Sequence, residues 1–207
     1  RLSLDEDQLL RVQLRAIVQA AAGRTVRVLF PMVSTVEELR RATALLDVVR
    51  RDLESESGVR ATVERGAMIE VPSAALVAES LVSEVDFLSL GTNDLAQYTL
   101  AADRDNARTS ALADELHPAV LHLIRHTVEA AHAQGKWVSL CGELASDVLA
   151  VPVLLGLGLD QLSVSPVFVP EVKAEIRKVE LSQSQLLAEA AVQLDGAAEV
   201  RAFLRDQ

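Results

Sequence analysis

Five side chains in this 207-residue sequence are of the types that handle charged oxygen and move protons: Glu70, Asn93, Asp94, Arg104 and Cys141. Asn93 and Asp94 fall in Gly91-Thr92-Asn93-Asp94, directly after the apolar run Val85 to Leu90, which reads as a buried strand. Glu70 closes a second such run, Gly66 to Ile69, and Cys141 ends a third, Trp137 to Leu140. Two carboxylates from different strands suit Mg2+, which takes one or two of them and leaves its other positions to water and substrate oxygens. Arg104 can grip a phosphate or carboxylate bidentately, and Asn93 can hand an amide N–H to the same phosphate. A thiol with an ordinary pKa of about 8.5 is protonated at neutral pH, so Cys141 can serve as a proton donor. Each residue also has a plainer reading. Thr92, Asn93 and Asp94 are helix-cap types, Glu70 fits a buried ion pair, Arg104 an ordinary surface arginine, and a lone cysteine a small buried hydrophobe. Glu143 reads as a supporting or structural carboxylate. His122, His126 and His132 do not share one helix face, which argues against a histidine metal cluster.

The chain that must position these groups is acidic, with a formal net charge of −10, and half of it is hydrophobic while aromatics make up 3%. That charge disfavours nucleic acid or an anionic membrane surface as the main partner, and so few aromatics offer no stacking platform. No apolar run reaches membrane-spanning length and no secretory signal pattern opens the sequence. A single cysteine excludes an internal disulfide framework and is compatible with the cytosol, so a cytoplasmic protein is expected. The length suits one domain with a real core.

Apolar strands alternate with amphipathic helices throughout. Capping-box patterns at Ser3-Leu4-Asp5-Glu6 and Ser34-Thr35-Val36-Glu37 predict two helix starts. Strands are predicted near 26–32, 66–72, 85–90, 137–143 and 161–166. Ser73 is expected to cap a helix over 74–82, Pro118 to open one running to Gly135, and a further helix to run from Ser146 or Asp147 to Gly156. Helices starting at Pro170 and over about 182–194 and 197–204 close the chain. Continuous rather than alternating apolar strands mean a parallel sheet covered on both faces. Five βα units with a leading helix predict an α/β fold, an incomplete (β/α)8 TIM barrel, over residues 1–207; a doubly wound open sheet is the competing architecture. Polar groups at three successive strand ends favour the barrel, because those ends converge on one face.

Phe30-Pro31-Met32, Met68-Ile69-Glu70-Val71-Pro72, Gly91 to Arg104, and Cys141-Gly142-Glu143-Leu144-Ala145 together resemble the PEP-binding barrel of the phosphoenolpyruvate (PEP)-utilising enzymes. Within that family the Enzyme I branch, the PEP-protein phosphotransferases of the sugar phosphotransferase system, is the most similar, on Gln97-Tyr98-Thr99-Leu100 and Leu155-Gly156-Leu157-Gly158. The resemblance implies that Glu70 and Asp94 hold Mg2+, that Asn93 and Arg104 bind the phosphoryl end of PEP, and that Cys141 protonates the enolate to pyruvate. It further implies phosphoryl transfer through an enzyme histidine to the carrier HPr, and a homodimer. None of the four histidines here lies in a phosphoacceptor context, and the chain opens on Arg1, which resembles the last arginine of a Gly-x-Arg-x-x-Arg motif. The expectation is therefore a fragment whose phosphohistidine domain and first barrel strands lie elsewhere, and which is inactive alone. A dikinase- or synthase-type barrel, a Mg-dependent 2-oxo acid lyase and a non-catalytic dimerisation fragment are the alternatives.

Overall fold

The computed structural model describes residues 1–207. Its elements run, in order, α1 (Leu2–Asp5), α2 (Asp7–Ala20), β1 (Thr25–Phe30), α3 (Val36–Ser57), β2 (Thr62–Ile69), α4 (Pro72–Leu76), α5 (Ala78–Val82), β3 (Phe87–Gly91), α6 (Thr92–Leu100), α7 (Pro118–Ala133), β4 (Trp137–Cys141), α8 (Val151–Gly156), β5 (Gln161–Leu162), α9 (Val169–Ile176), α10 (Leu181–Ala191) and α11 (Ala197–Arg205). Short 3-10 turns at Ser110–Leu112, Glu143–Ser146 and Pro166–Phe168 fill the loops.

All five strands are parallel and lie in their order along the chain, β1-β2-β3-β4-β5. A doubly wound sheet reverses its strand order at a switch point; this one does not, and it does not close. The architecture is the arc of an incomplete barrel. Every residue of β3 is buried, because its two neighbours cover its edges while side chains of other elements cover both faces. In α3 the buried residues Leu39, Ala42, Leu46, Val49 and Leu53 recur at helical spacing and turn one face to the core. The remaining core is built from similar aliphatic stripes, including Leu121, Ile124 and Val128 of α7.

Several sequence expectations need local correction. The first capping box does not form: Glu6 interrupts the helix, splitting α1 from α2, and neither start has a side-chain cap. The second lies one residue later than the pattern suggests. Thr35 Oγ1 accepts from the Glu38 amide (3.2 Å) while Glu38 accepts from the Thr35 amide (3.2 Å). Glu38 also collects the Ser34 hydroxyl (2.7 Å) and amide (2.8 Å), and its carboxyl is pulled down to about 2, chiefly by that hydroxyl. Ser73 caps nothing; Pro72 is already helical, and the helix breaks at Val77 into α4 and α5. β5 shrinks to two residues, and the helix expected from Ser146 or Asp147 starts at Val151. By contrast His117 caps α7 with its ring, Nδ1 accepting from Ala119 at 3.1 Å ahead of Pro118.

The capping box gives a direct test. Thr35→Ala removes one of two reciprocal bonds and is expected to lower unfolding stability by about 1 kcal/mol, read as a lower urea midpoint; Ser3→Ala, at the box that does not form, is expected to leave the midpoint unchanged.

Candidate active site

The carboxyl ends of β1 to β4 and the residues just beyond them carry the chemistry. β2 ends at Ile69 and delivers Glu70, which is only 4% exposed. Its Oε1 accepts from the Met32 amide at 2.6 Å. Met32, just past β1, reaches that position with φ of +53°, a left-handed conformation rare for a branchless residue other than glycine, asparagine or aspartate. Asp94 sits in the first turn of α6, where a negative charge meets the positive end of the helix dipole. The cap reading of Thr92, Asn93 and Asp94 fails here: Gly91 is the N-cap, with no side-chain hydrogen bond, and the three polar residues are already inside the helix.

Two glycines let these ends meet. A Cβ on Gly91 would lie 2.7 Å from Glu70 Oε2 and 2.9 Å from Glu70 Cβ, so only a bare backbone lets the carboxylate cross the end of β3. Gly142 has φ of +105°, and a Cβ there would lie 2.3 Å from Asn93 Oδ1 and 2.6 Å from Thr92 Oγ1. That close approach is held by hydrogen bonds. The Glu143 amide donates to Asn93 Oδ1 at 3.0 Å, and the Thr92 hydroxyl donates to the Cys141 carbonyl at 3.1 Å. With Oδ1 committed, the Asn93 amide nitrogen is the end left for a ligand.

The electrostatics show which groups share one space. Burial pushes the Glu70 carboxyl above its usual range, the Met32 amide opposes this, and the nearby Asp94 carboxylate raises it further. Burial also pushes the Cys141 thiol up, and both Glu70 and Asp94 add to that shift. Arg104 Nη2 stands 3.6 Å from Asp94 Oδ1, while its backbone amide is tied to Gln97 Oε1 at 3.0 Å. Glu70, Asp94, Arg104 and Cys141 are thus brought together, and Asn93 joins them through the Gly142 turn. The set contains no cluster of three ligating side chains. A buried carboxylate beside a second one, compensated only by a more distant arginine, fits a hard divalent cation that keeps positions for water and ligand. The histidines do not gather: His132 Nε2 pairs with Asp160 (2.9 Å) and His122 Nδ1 with Arg125 (2.9 Å).

Alongside lies an open cavity of about 1230 Å3. Of the residues singled out in the sequence, Asn93, Arg104 and the supporting carboxylate Glu143 line it; Glu70, Asp94 and Cys141 do not. Its wall brings in Glu115 and Arg201, two residues that sequence reasoning missed. Arg201 of α11 grips Asp114 bidentately (2.7 and 3.0 Å) and Asp147 with its third nitrogen (3.0 Å). Burial opposes the Asp114 charge, but Arg201 holds that carboxyl below its usual range. Glu115 is different. Burial raises it to about 7, Glu143 and Asp114 add to the shift, and the Thr92 hydroxyl and Leu144 amide hold it back. In sequence it was one acid in a polar loop, and no local pattern marks it.

A family model described as "PEP-utilising enzyme, PEP-binding domain" matches residues 1–181. The chain belongs to that family. It is 44% identical over its whole length to the phosphoenolpyruvate-protein phosphotransferase of Haemophilus influenzae and 42% to that of Bacillus subtilis, covering 36% of each relative. The same-named protein of Staphylococcus carnosus is 45% identical over 97% of the chain and 35% of its own length. The chain thus spans about a third of the curated relatives it matches. Among solved structures, a citrate lyase of Burkholderia xenovorans superimposes with a TM-score of 0.62 at 22% identity, covering 95% of this chain and 68% of the lyase. An HpcH/HpaI aldolase of Desulfitobacterium hafniense gives 0.52 at 15%, over 81% and 67%. These two likenesses concern the fold alone. No helix is long and apolar enough to cross a membrane.

Glu115 supplies a pH test. Its folded pKa lies above the unfolded value, so the folded state binds the extra proton, and stability falls as pH rises from about 4.5 to about 7. Glu115→Gln is expected to stabilise the chain by roughly 1–3 kcal/mol at pH 8 and by almost nothing at pH 4, measured by urea denaturation at both.

Proposed function

We propose that this chain is the Mg2+- and PEP-binding carboxyl-terminal part, over residues 1–207, of the barrel of a phosphoenolpyruvate-protein phosphotransferase. The observation that carries the reading is the meeting of Glu70 and Asp94 beside the sole thiol, with Arg104 on the flank of Asp94. The names of the relatives support the reaction class.

In this reading Glu70 and Asp94 would hold Mg2+, which would supply positive charge to offset that of the ligand. Asn93 offers its amide N–H and Arg104 its guanidinium to the phosphoryl group, so that ligand charge is met by directed donors. Phosphoryl transfer asks the protein mainly for such positioning. As the phosphoryl group leaves, the remaining enolate needs one proton on its methylene carbon to become pyruvate. The Cys141 thiol is suited to that step: burial and two neighbouring carboxylates keep it protonated at neutral pH. The phosphoryl group passes to a histidine on another domain of the whole protein and then to HPr, in the service of sugar uptake in the cytoplasm. The homodimer belongs to the same reading; the exposed run Val167-Phe168-Val169 after β5 offers apolar surface that a second copy could cover.

Part of the charge on PEP has no partner here. PEP carries roughly two to three negative charges near neutral pH, and the ion with Arg104 offsets about that much only at the phosphoryl end. Isothermal titration of the chain with PEP in Mg2+ is therefore expected to give millimolar rather than micromolar binding, and no pyruvate release. Glu70→Gln is expected to abolish the Mg2+-dependent part of that binding while raising the melting temperature of the metal-free chain, because it removes a buried charge beside Asp94. Micromolar binding unaffected by Glu70→Gln would overturn the assignment of the metal pair.

A further inference from the structure

Beneath the thiol lies a short chain of hydroxyls that the reading above does not use. Ser139 and Cys141 are two residues apart on β4 and so share a face of the sheet. In register, Ser139 lies opposite Ser89, and Cys141 opposite Gly91. Ser89 is 3% exposed and Ser139 6%, next along the same face to the stacked rings of Phe87 and Trp137. The two hydroxyl oxygens are 2.8 Å apart, Ser89 Oγ is 4.0 Å from Cys141 Sγ, and Sγ is 3.4 Å from the Leu90 carbonyl oxygen.

Three hydrogens have to be placed, and one direction places them all. Ser139 donates to Ser89, Ser89 donates to the sulfur, and the thiol donates to the Leu90 carbonyl. Run the other way, Ser89 would donate to Ser139, and the Ser139 hydrogen would have no acceptor within reach, since Ser89 is the only partner of its hydroxyl. Buried hydroxyls keep their hydrogen bonds, so the direction toward sulfur is the stable one.

We propose that Ser89, oriented by Ser139, is a positioning residue for Cys141: its hydroxyl fixes the sulfur and stabilises the thiolate left after the proton moves to carbon. The proposal rests on Cys141 being the proton donor. In that step the S–H bond breaks and its electron pair stays on sulfur, while the enolate double bond supplies the pair for the new C–H bond; solvent water later returns a proton to sulfur. The contact at 4.0 Å is long for a neutral thiol and shortens as sulfur becomes an anion, so Ser89 contributes most when charge has developed. Burial opposes that charge most, and the charged groups facing the sulfur from neighbouring elements, Glu70 beyond β2 and Asp94 on α6, raise the thiol further, whereas the Ser89 hydroxyl lowers it.

Because Cys141 is the only cysteine, alkylation of the intact chain reports on this sulfur alone. Iodoacetamide rates would be measured from pH 7 to 11 with EDTA present, for the wild type, Ser89→Ala, Ser89→Thr and Ser139→Ala. Ser89→Ala is expected to move the midpoint up by about 0.5–1 pH unit, Ser139→Ala to move it the same way by less, and Ser89→Thr to leave it near wild type. In urea all four should share one midpoint, which separates a lost hydrogen bond from altered reagent chemistry, and retained Trp137 fluorescence shows that a variant is folded. An unchanged or lowered midpoint in folded Ser89→Ala overturns the proposal. No PEP is present in this assay, so the PEP reading can fail in the titration above while the Ser89 contact stands, and the reverse.

Discussion

A carboxylate kept from water at the end of a parallel strand constrains everything around it. Glu70 is buried, it faces a second acid, and its fixed partner is the amide of Met32, aimed by a backbone angle that carries strain. An isolated protein of this shape would gain by replacing that acid with an apolar or neutral residue. In the proposed reading, a cation and a negatively charged ligand would convert this electrostatic liability into a binding determinant. Neighbouring features follow from this. Met32 must adopt its left-handed turn, Gly91 must stay bare, and Asp94 must sit where the dipole of α6 helps to hold its charge.

Parallel topology does the gathering. Residues far apart in the chain, such as Glu70 and Cys141, meet because strands in register expose their carboxyl ends at one rim, and the order of the strands along the chain is also their order in space. The glycine at 142 then folds the end of β4 back over Asn93, so the Asn93 amide is oriented by main chain rather than by another mobile side chain. Below the rim the hydroxyls of Ser139 and Ser89 lie between the thiol and the stacked rings of Phe87 and Trp137.

Most of this rim could be read from the sequence, for a physical reason. A polar residue interrupting or ending a continuous apolar run stands out, and Glu70, Asp94 and Cys141 each do so; Asn93 and Arg104 came with the same stretch. The misreadings have physical causes too. A Ser/Thr-x-x-Glu pattern is satisfied twice in Ser34-Thr35-Val36-Glu37-Glu38, and only the geometry of the chain entering α3 selects Thr35. α4 and α5 read as one helix because the break at Val77 leaves the apolar spacing intact. β5 ends early because, after the Ser163 amide donates to the Leu140 carbonyl of β4 at 2.8 Å, the chain passes into a loop at the cavity wall. Glu115 and Arg201 were invisible because their significance is tertiary: one acid is raised by burial, and one base finds its acids 87 and 54 positions away.

The Arg201 grip bears on what counts as the functional unit. The family segment stops at residue 181, yet the guanidinium that reconciles Asp114 with Asp147 arrives from α11, beyond that limit. Excised at the family boundary, the two loops flanking the cavity would keep their acids and lose their common counter-ion, and mutual repulsion would spread them apart. The terminal helix is in effect a latch, and the smallest piece that preserves the shape of this mouth extends past the segment matched to the family.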